Sequence, residues 1–248
     1  MAPDTSQDRR AFLERRRALG ARRMDELFAP RYDEQWGHIN QTHEEFVKAL
    51  IDMTSSGSTL LDAACGTGKY APMILAAGRS LIGIDRSAGM LGQLARKLAG
   101  VTVRQLSLER LADTTDLAAT FDGLLCVDAM ENVPPEDWPV VLTGFAFVLK
   151  PGAPLYFTVE IPEDDDRILA ARPSPPLVTG EVLWPDDHGG AYHYFPQLDQ
   201  IQKWVSAAGF TLARQGEGDG YCHLLARQSV RPHFSRLPYD RYQDEAGI

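Results

Sequence analysis

Apolar positions along the chain follow two alternating patterns. Short apolar runs occur at 60–61, 80–84, 101–106, 121–128, 155–159, 210–215 and 221–227. Their length and their Gly, Asp and Pro boundaries predict strands. Between them, apolar residues fall three and four apart, the period of a helix buried on one face. Phe46, Val47, Leu50 and Ile51 form one such stripe within 31–53, and Met90, Leu91, Leu94 and Leu98 form another behind Ser87, which is placed to cap it. Trp138, Val141, Leu142, Phe145, Val148 and Leu149 form a third, opened by Pro134-Pro135 with Glu136 and Asp137 in its first turn. Leu198, Ile201, Val205 and Ala208 form a fourth, stopped by Gly209. Strands alternating with helices predict an α/β domain around a parallel sheet.

Three segments stand apart from this alternation. Residues 9–28 read as an arginine-rich helix with seven arginines before Met24, interrupted by Glu14, Asp25 and Glu26. A solvated helix face, a lid or a dimer contact suits it better than a nucleic-acid arm. Residues 161–195 are rich in Pro and Asp, too long for a simple connection in a compact domain. Three consecutive aspartates, Asp164, Asp165 and Asp166, do not converge on a metal and read as a solvated loop. Residues 229–248 lie beyond the last strand as a tail. The expected organisation is an N-terminal helix at 1–30, a catalytic-size domain at 31–228 with a cap insertion at 161–195, and the tail.

Composition narrows the function. A formal net charge of −9 argues against a nucleic-acid partner, which needs a basic surface. Three cysteines, Cys65, Cys126 and Cys222, show no Cys-x-x-Cys spacing, so a reducing, cytoplasmic compartment is expected. No apolar run has the length of a membrane span, and the N-terminus does not read as a signal peptide. The Arg- and Ala-rich composition adds natural-product metabolism as an expected context.

The chemistry concentrates at 58–78, where an apolar strand ending in Asp62 meets the turn Ala63-Ala64-Cys65-Gly66-Thr67-Gly68 and then a helix. Such a turn presents backbone N–H groups to a ligand, and Gly66 and Gly68 allow close approach. A phosphate loop would need Gly at Ala63 and Ser or Thr at Tyr70. A dinucleotide fingerprint would place Asp62 beside a pyrophosphate, like charge near like charge. The residues Leu61-Asp62-Ala63-Ala64-Cys65-Gly66-Thr67-Gly68 resemble instead the first motif of class I S-adenosylmethionine-dependent methyltransferases.

The resemblance implies a Rossmann-like seven-stranded sheet of order 3-2-1-4-5-7-6, strand 7 antiparallel, with helices on both faces. It also implies S-adenosylmethionine as cofactor. Asp62, Ala64, Gly66, Thr67 and Gly68 would wrap its methionine end. Asp85, seventeen residues after Gly68, is placed to accept both ribose hydroxyls, with Arg86 and Met90 beside it. Leu108 would pack on the adenine and Glu109 would accept from it, while Val127 and Asp128 would face the methyl group. Tyr32 either closes over the sulfonium or packs a short element. Asp128-Ala129-Met130-Glu131 stands where base- and glutamine-methylating relatives carry an Asn/Asp-Pro-Pro-Tyr/Phe tetrad, so a small-molecule acceptor is expected. Tyr192, Tyr194 and Met130 are the acceptor-pocket candidates, Tyr192 and Tyr194 being equally readable as anchors of the cap. For an acceptor that carries a proton, His193, Glu131 and Glu160 are the candidate bases. No metal is expected. A non-catalytic cofactor-binding protein and an NAD-dependent oxidoreductase are the alternatives.

Overall fold

The apolar runs build one mixed sheet. The computed structural model describes residues 5–162, 177–184 and 190–229. In chain order its strands are β1 (Thr59–Ala63), β2 (Ser80–Asp85), β3 (Thr102–Gln105), β4 (Gly123–Cys126), β5 (Pro154–Glu160), β6 (Glu181–Trp184), β7 (Ala191–Tyr194), β8 (Phe210–Gly218) and β9 (Tyr221–Gln228). The main sheet runs β3-β2-β1-β4-β5-β9-β8, with β1 to β5 parallel and β9 antiparallel to both neighbours. Numbered within the sheet alone, this is the expected order 3-2-1-4-5-7-6.

Side chains alternate across the sheet, and helices cover both faces. The helices are α1 (Thr5–Arg23), α2 (Tyr32–Trp36), α3 (Gln41–Asp52), α4 (Ala71–Ala76), α5 (Ala88–Lys97), α6 (Trp138–Val148) and α7 (Leu198–Ala207). Leu60, Leu125, Tyr156 and Leu225 point to the face packed by α3, α4 and α5. Leu61, Leu124, Phe157 and Leu224 point to the face packed by α6 and α7. The Ser87 side chain caps α5 through Met90 N–H, as its position predicted. Asp25 adds a second cap, accepting from Ser87 Oγ at 2.7 Å and Gly89 N–H at 2.8 Å.

Several boundaries differ from the sequence reading. The arginine-rich helix ends at Arg23 and passes through a π turn (Met24–Phe28) and a 3-10 turn (Ala29–Arg31) that holds Pro30. It is not a detached arm: Phe12 and Leu13 are buried, and Arg9 and Arg17 bond Glu136 and Asp137. Those acids precede α6, which begins at Trp138 with Pro139 in its first turn. They therefore answer α1's guanidinium groups, and Asp137 makes no side-chain cap bond. The last hairpin turns on Asp219-Gly220, both at positive φ, the two-residue turn that matches strand twist. Within 161–195 the chain forms a two-stranded hairpin, β6 with β7, against α1. Asp164, Asp165, Asp166, the Pro173–Pro176 stretch, Asp186, Asp187, His188 and the tail from 230 onward lie outside the described residues. Among the described residues no helix is long and apolar enough to cross a membrane.

Candidate active site

The carboxyl ends of β1, β2 and β4 surround a cavity of about 170 Å³. Ligands of open α/β sheets bind there, where the strand order reverses. At the end of β1, Asp62 is 2 % exposed and its Oδ2 has no hydrogen-bond partner. Burial, and then the charge of Asp85, push its carboxyl up to about 7. Ala64 follows at φ 63, a left-handed conformation that costs a side chain on the order of 1 kcal/mol or more. Asp128 at the end of β4 is left-handed too, at φ 53. Both residues line the cavity, which places backbone strain on the two central strands where the ligand sits.

The glycine turn is tied to β2. Asp85 Oδ2 accepts from Gly66 N–H at 2.9 Å, and Oδ1 accepts from Ser87 N–H at 2.8 Å. Each oxygen keeps a lone pair for a further donor. Burial raises the Asp85 carboxyl, and these backbone donors only partly offset it. Asp128 is in the opposite condition. Burial pushes it up, but the His43 Nε2–H bond at 3.2 Å and the Lys69 ammonium at 3.2 Å hold it below the usual carboxylate range. Its own N–H donates to Thr158 Oγ1, fixing the end of β4 against β5.

Twelve of the sequence-predicted cofactor residues reach this wall. Asp62, Ala64, Gly66 and Thr67 come from the first turn, and Asp85, Arg86 and Met90 from β2 and α5. Leu108 and Glu109 follow β3, Val127 and Asp128 end β4, and Tyr32 enters from α2. Glu109 is held by Arg86 at 3.3 Å. Gly68 is a correction: it does not line the cavity. It stands at φ +79, and a Cβ there would lie 2.3 Å from Leu94 Cδ1, so it serves the packing of α5.

A second cavity of about 190 Å³ adjoins the first and shares Arg17, Gly20, Met24, Arg86, Asn132 and Pro134 with it. Tyr192 and His193 of β7 line it. The Tyr192 hydroxyl donates to Glu181. His193 Nδ1 lies 2.7 Å from Glu160 Oε2, so two candidate bases form one pair. The carboxylate accepts Nδ1–H, which leaves Nε2 of the neutral ring with a free lone pair.

Three predicted residues stand elsewhere. Glu131 is 5 % exposed on neither cavity wall, with Oε2 unpartnered and its carboxyl pushed well up by burial. A neutral acid enclosed in the core is not placed to take a proton from an acceptor. Met130 is fully buried in the same turn and packs in the core. Tyr194 is buried at the base of the hairpin, its ring 6.4 Å from that of Trp204, and it anchors β7. Sequence reasoning passed over Arg17, Met24, Lys69 and Tyr70 on the first wall. Lys69 follows the glycine turn directly in sequence, a position that could have pointed to it.

Residues 60–152 match the family model described as "Methyltransferase domain". That segment holds the glycine turn together with β2 and β4, and it is similar to a methyltransferase domain. The ubiquinone biosynthesis O-methyltransferase of Pseudomonas fluorescens is 28% identical over 135 residues, 53% of each chain. The demethylmenaquinone methyltransferase of Symbiobacterium thermophilum is 35% identical over 123 residues, 47% of each. This chain thus spans about half the length of the curated relatives it matches. Magnesium protoporphyrin IX methyltransferase from Synechocystis, solved with bound S-adenosylmethionine, superposes at a TM-score of 0.60 and 18% identity over 86% of this chain and 96% of that one. The fold of this chain is shared with it.

The residues of this cavity fit S-adenosylmethionine, the cofactor that the resemblance of the first turn implies. The unpartnered Asp62 oxygen asks for a donor from the cavity, and an ammonium group supplies one. Gly66 lines the cavity, and a Cβ built on it meets no protein atom within 4 Å. The spare lone pairs of Asp85 suit a vicinal diol.

Proposed function

We propose that this protein transfers a methyl group from S-adenosylmethionine to a small-molecule acceptor. The observation that carries this reading is the buried Asp62 carboxyl oxygen, unpartnered at the floor of a cavity walled by a glycine turn. A pyrophosphate would be repelled there, and an amino-acid ammonium is attracted. When bound, the cofactor supplies a sulfonium methyl carbon that takes up the acceptor's electron pair as the carbon–sulfur bond breaks. Asp62 binds the ammonium end, Asp85 fixes the ribose hydroxyls, and Leu108 covers the adenine. Tyr32 closes the wall near Asp128.

The acceptor enters the second cavity. Relatives named for O-methylation in ubiquinone biosynthesis support a hydroxyl acceptor. His193 then takes the hydroxyl proton at Nε2, with Glu160 holding Nδ1–H and stabilising the imidazolium. The composition supports natural-product metabolism as the setting. A non-catalytic cofactor-binding protein is the weaker reading, because a second cavity adjoins the first where such a protein would be filled with side chains.

The test is calorimetric titration with S-adenosylhomocysteine, NAD and ATP in parallel, repeated with Asp85→Ala. Binding of the thioether alone, weakened at least about tenfold by the substitution, is the expected result. Preference for NAD, or no thioether binding, overturns the reading. Once an acceptor is in hand, His193→Gln lowers kcat by roughly 10²–10⁴-fold and leaves thioether affinity unchanged.

A further inference from the structure

Helix α1 does not end at the cavity wall. Through the π turn Met24–Phe28 and the 3-10 turn Ala29–Arg31 it runs on into α2. Residues 24–36 thus form a strap, and both Met24 and Tyr32 of it line the first cavity. The two ends of the strap are held differently. At the near end, Asp25 Oδ1 accepts from Ser87 Oγ and Gly89 N–H at the head of α5, and Ala29 is buried. At the far end no residue of α2 is buried, so no apolar face docks that helix. Its five residues are also too few to hold a helix without a partner.

Asp33 ties α2 down. Its Oδ1 accepts from Thr67 Oγ1, and its Oδ2 accepts from Lys97 Nζ at 2.6 Å. Thr67 is 1 % exposed, stands between Gly66 and Gly68, and lines the first cavity. Lys97 is the last residue of α5. Burial pushes the Asp33 carboxyl up, but the Lys97 ammonium and the Thr67 hydroxyl outweigh it and hold the group below the usual carboxylate range. Asp33 and Lys97 are both half-exposed, and ion pairs of that kind are weak. Tyr32, the neighbour of Asp33, lines the cavity with its ring 5.3 Å from that of Trp36, which packs in turn on Phe28. A piece of the cavity wall is therefore mounted on a helix that a weak polar contact closes, the make-up of a segment that opens locally.

We propose that Asp33 is the positioning residue that latches α2 over the cofactor, holding Tyr32 against the first cavity through Thr67 until the spent thioether leaves. The inference deepens the methyltransferase reading and rests on it. Asp33 lines neither of the two cavities, so it acts through its neighbours. A ligand that fills the glycine turn fixes the Thr67 hydroxyl, which fixes Asp33 and with it the place of Tyr32. In the other direction, α2 does not lift without breaking the bond between Asp33 and Thr67. Closing the strap and holding the thioether therefore favour one another by the same factor. Since α1 continues into the strap, freeing α2 also frees the end of the wall that α1 makes.

The test is stopped-flow dissociation of S-adenosylhomocysteine from the full chain. Asp33→Ala and Thr67→Val each raise the dissociation rate about tenfold, the effect of losing one charge-assisted bond. Thr67→Ser keeps the hydroxyl and stays near the unaltered rate. Asp33→Ala combined with Thr67→Val is no faster than either alone, because both cut the same contact. Asp33→Ala also adds nothing in a Tyr32→Ala background, whereas a separate structural role gives effects that multiply. An unchanged rate in Asp33→Ala, or rates that multiply in either double variant, overturns the proposal. Hydrogen exchange on the unaltered protein gives a second readout whether or not the variants fold. S-adenosylhomocysteine slows exchange of the Gly37 amide, which donates to the Asp33 carbonyl oxygen at 3.0 Å, and no slowing there overturns the proposal. Failure of the unaltered protein to bind the thioether sinks the methyltransferase assignment and this inference together. Thioether binding that leaves α2 and the rates as they were sinks this one alone.

Discussion

Two carboxyl groups at the ends of adjacent strands, Asp62 on β1 and Asp128 beyond β4, are held in opposite states by what touches them. Asp62 Oδ2 has no donor, and its burial favours the neutral form. Asp128 has His43 and Lys69, and stays ionised. Below about pH 4 Asp62 is protonated in folded and unfolded chains alike; between there and about 7 only the unfolded chain ionises, so stability falls as pH rises through that window. Asp62→Asn flattens this fall and stabilises the ligand-free protein by roughly 2–4 kcal/mol above pH 7, read from denaturation at several pH values. The same substitution weakens S-adenosylhomocysteine binding. In the unaltered protein that affinity drops about tenfold per pH unit below 7, because Asp62 must lose its proton to meet an ammonium. That Asp62 and Gly66 stand on one cavity wall was legible in the sequence, because one local turn carries both. The Asp128 partners were not, since Lys69 and His43 reach it across 59 and 85 residues.

Helix α1 shows why an element can be legible while its place is not. Among its described residues only Phe12 and Leu13 are buried, so the apolar stripe that announces a docking face is nearly absent. Ion pairs dock it instead. Arg9 bonds Glu136 and Glu181, and the Glu181 side chain is fully enclosed. Arg9→Met leaves that carboxylate buried without its cation, a loss of about 3–5 kcal/mol borne by the docking of α1 and the β6–β7 hairpin. The expected readout is faster limited proteolysis within α1 and little change at the main sheet. The hairpin itself was hidden because its strands have four residues each and lie between glycines and prolines, Gly180 and Pro185 around β6 and Gly190 and Pro196 around β7. At the glycine turn the element-scale constraint is Gly68. Gly68→Ala forces a left-handed alanine against Leu94 and lowers stability by roughly 1–3 kcal/mol, measured by chemical denaturation.

For the whole molecule, the alternation of apolar runs with helical stripes made a parallel α/β sheet legible, and the strand order was what the resemblance of the first turn implies. The reversal of order between β1 and β4 then fixed where a ligand sits, before any side chain was placed. What the chain pattern did not carry was the second cavity, which exists only where α1, β7 and the turn after β4 come together. Because α1 is a wall of both chambers, it cannot open one and leave the other sealed. Traffic through the two is therefore coupled in time: an acceptor seated in the second cavity braces the wall that the spent thioether must pass. Stopped-flow displacement of S-adenosylhomocysteine slows when the acceptor is present, and turnover at high acceptor concentration is paced by product escape and not by the chemical step.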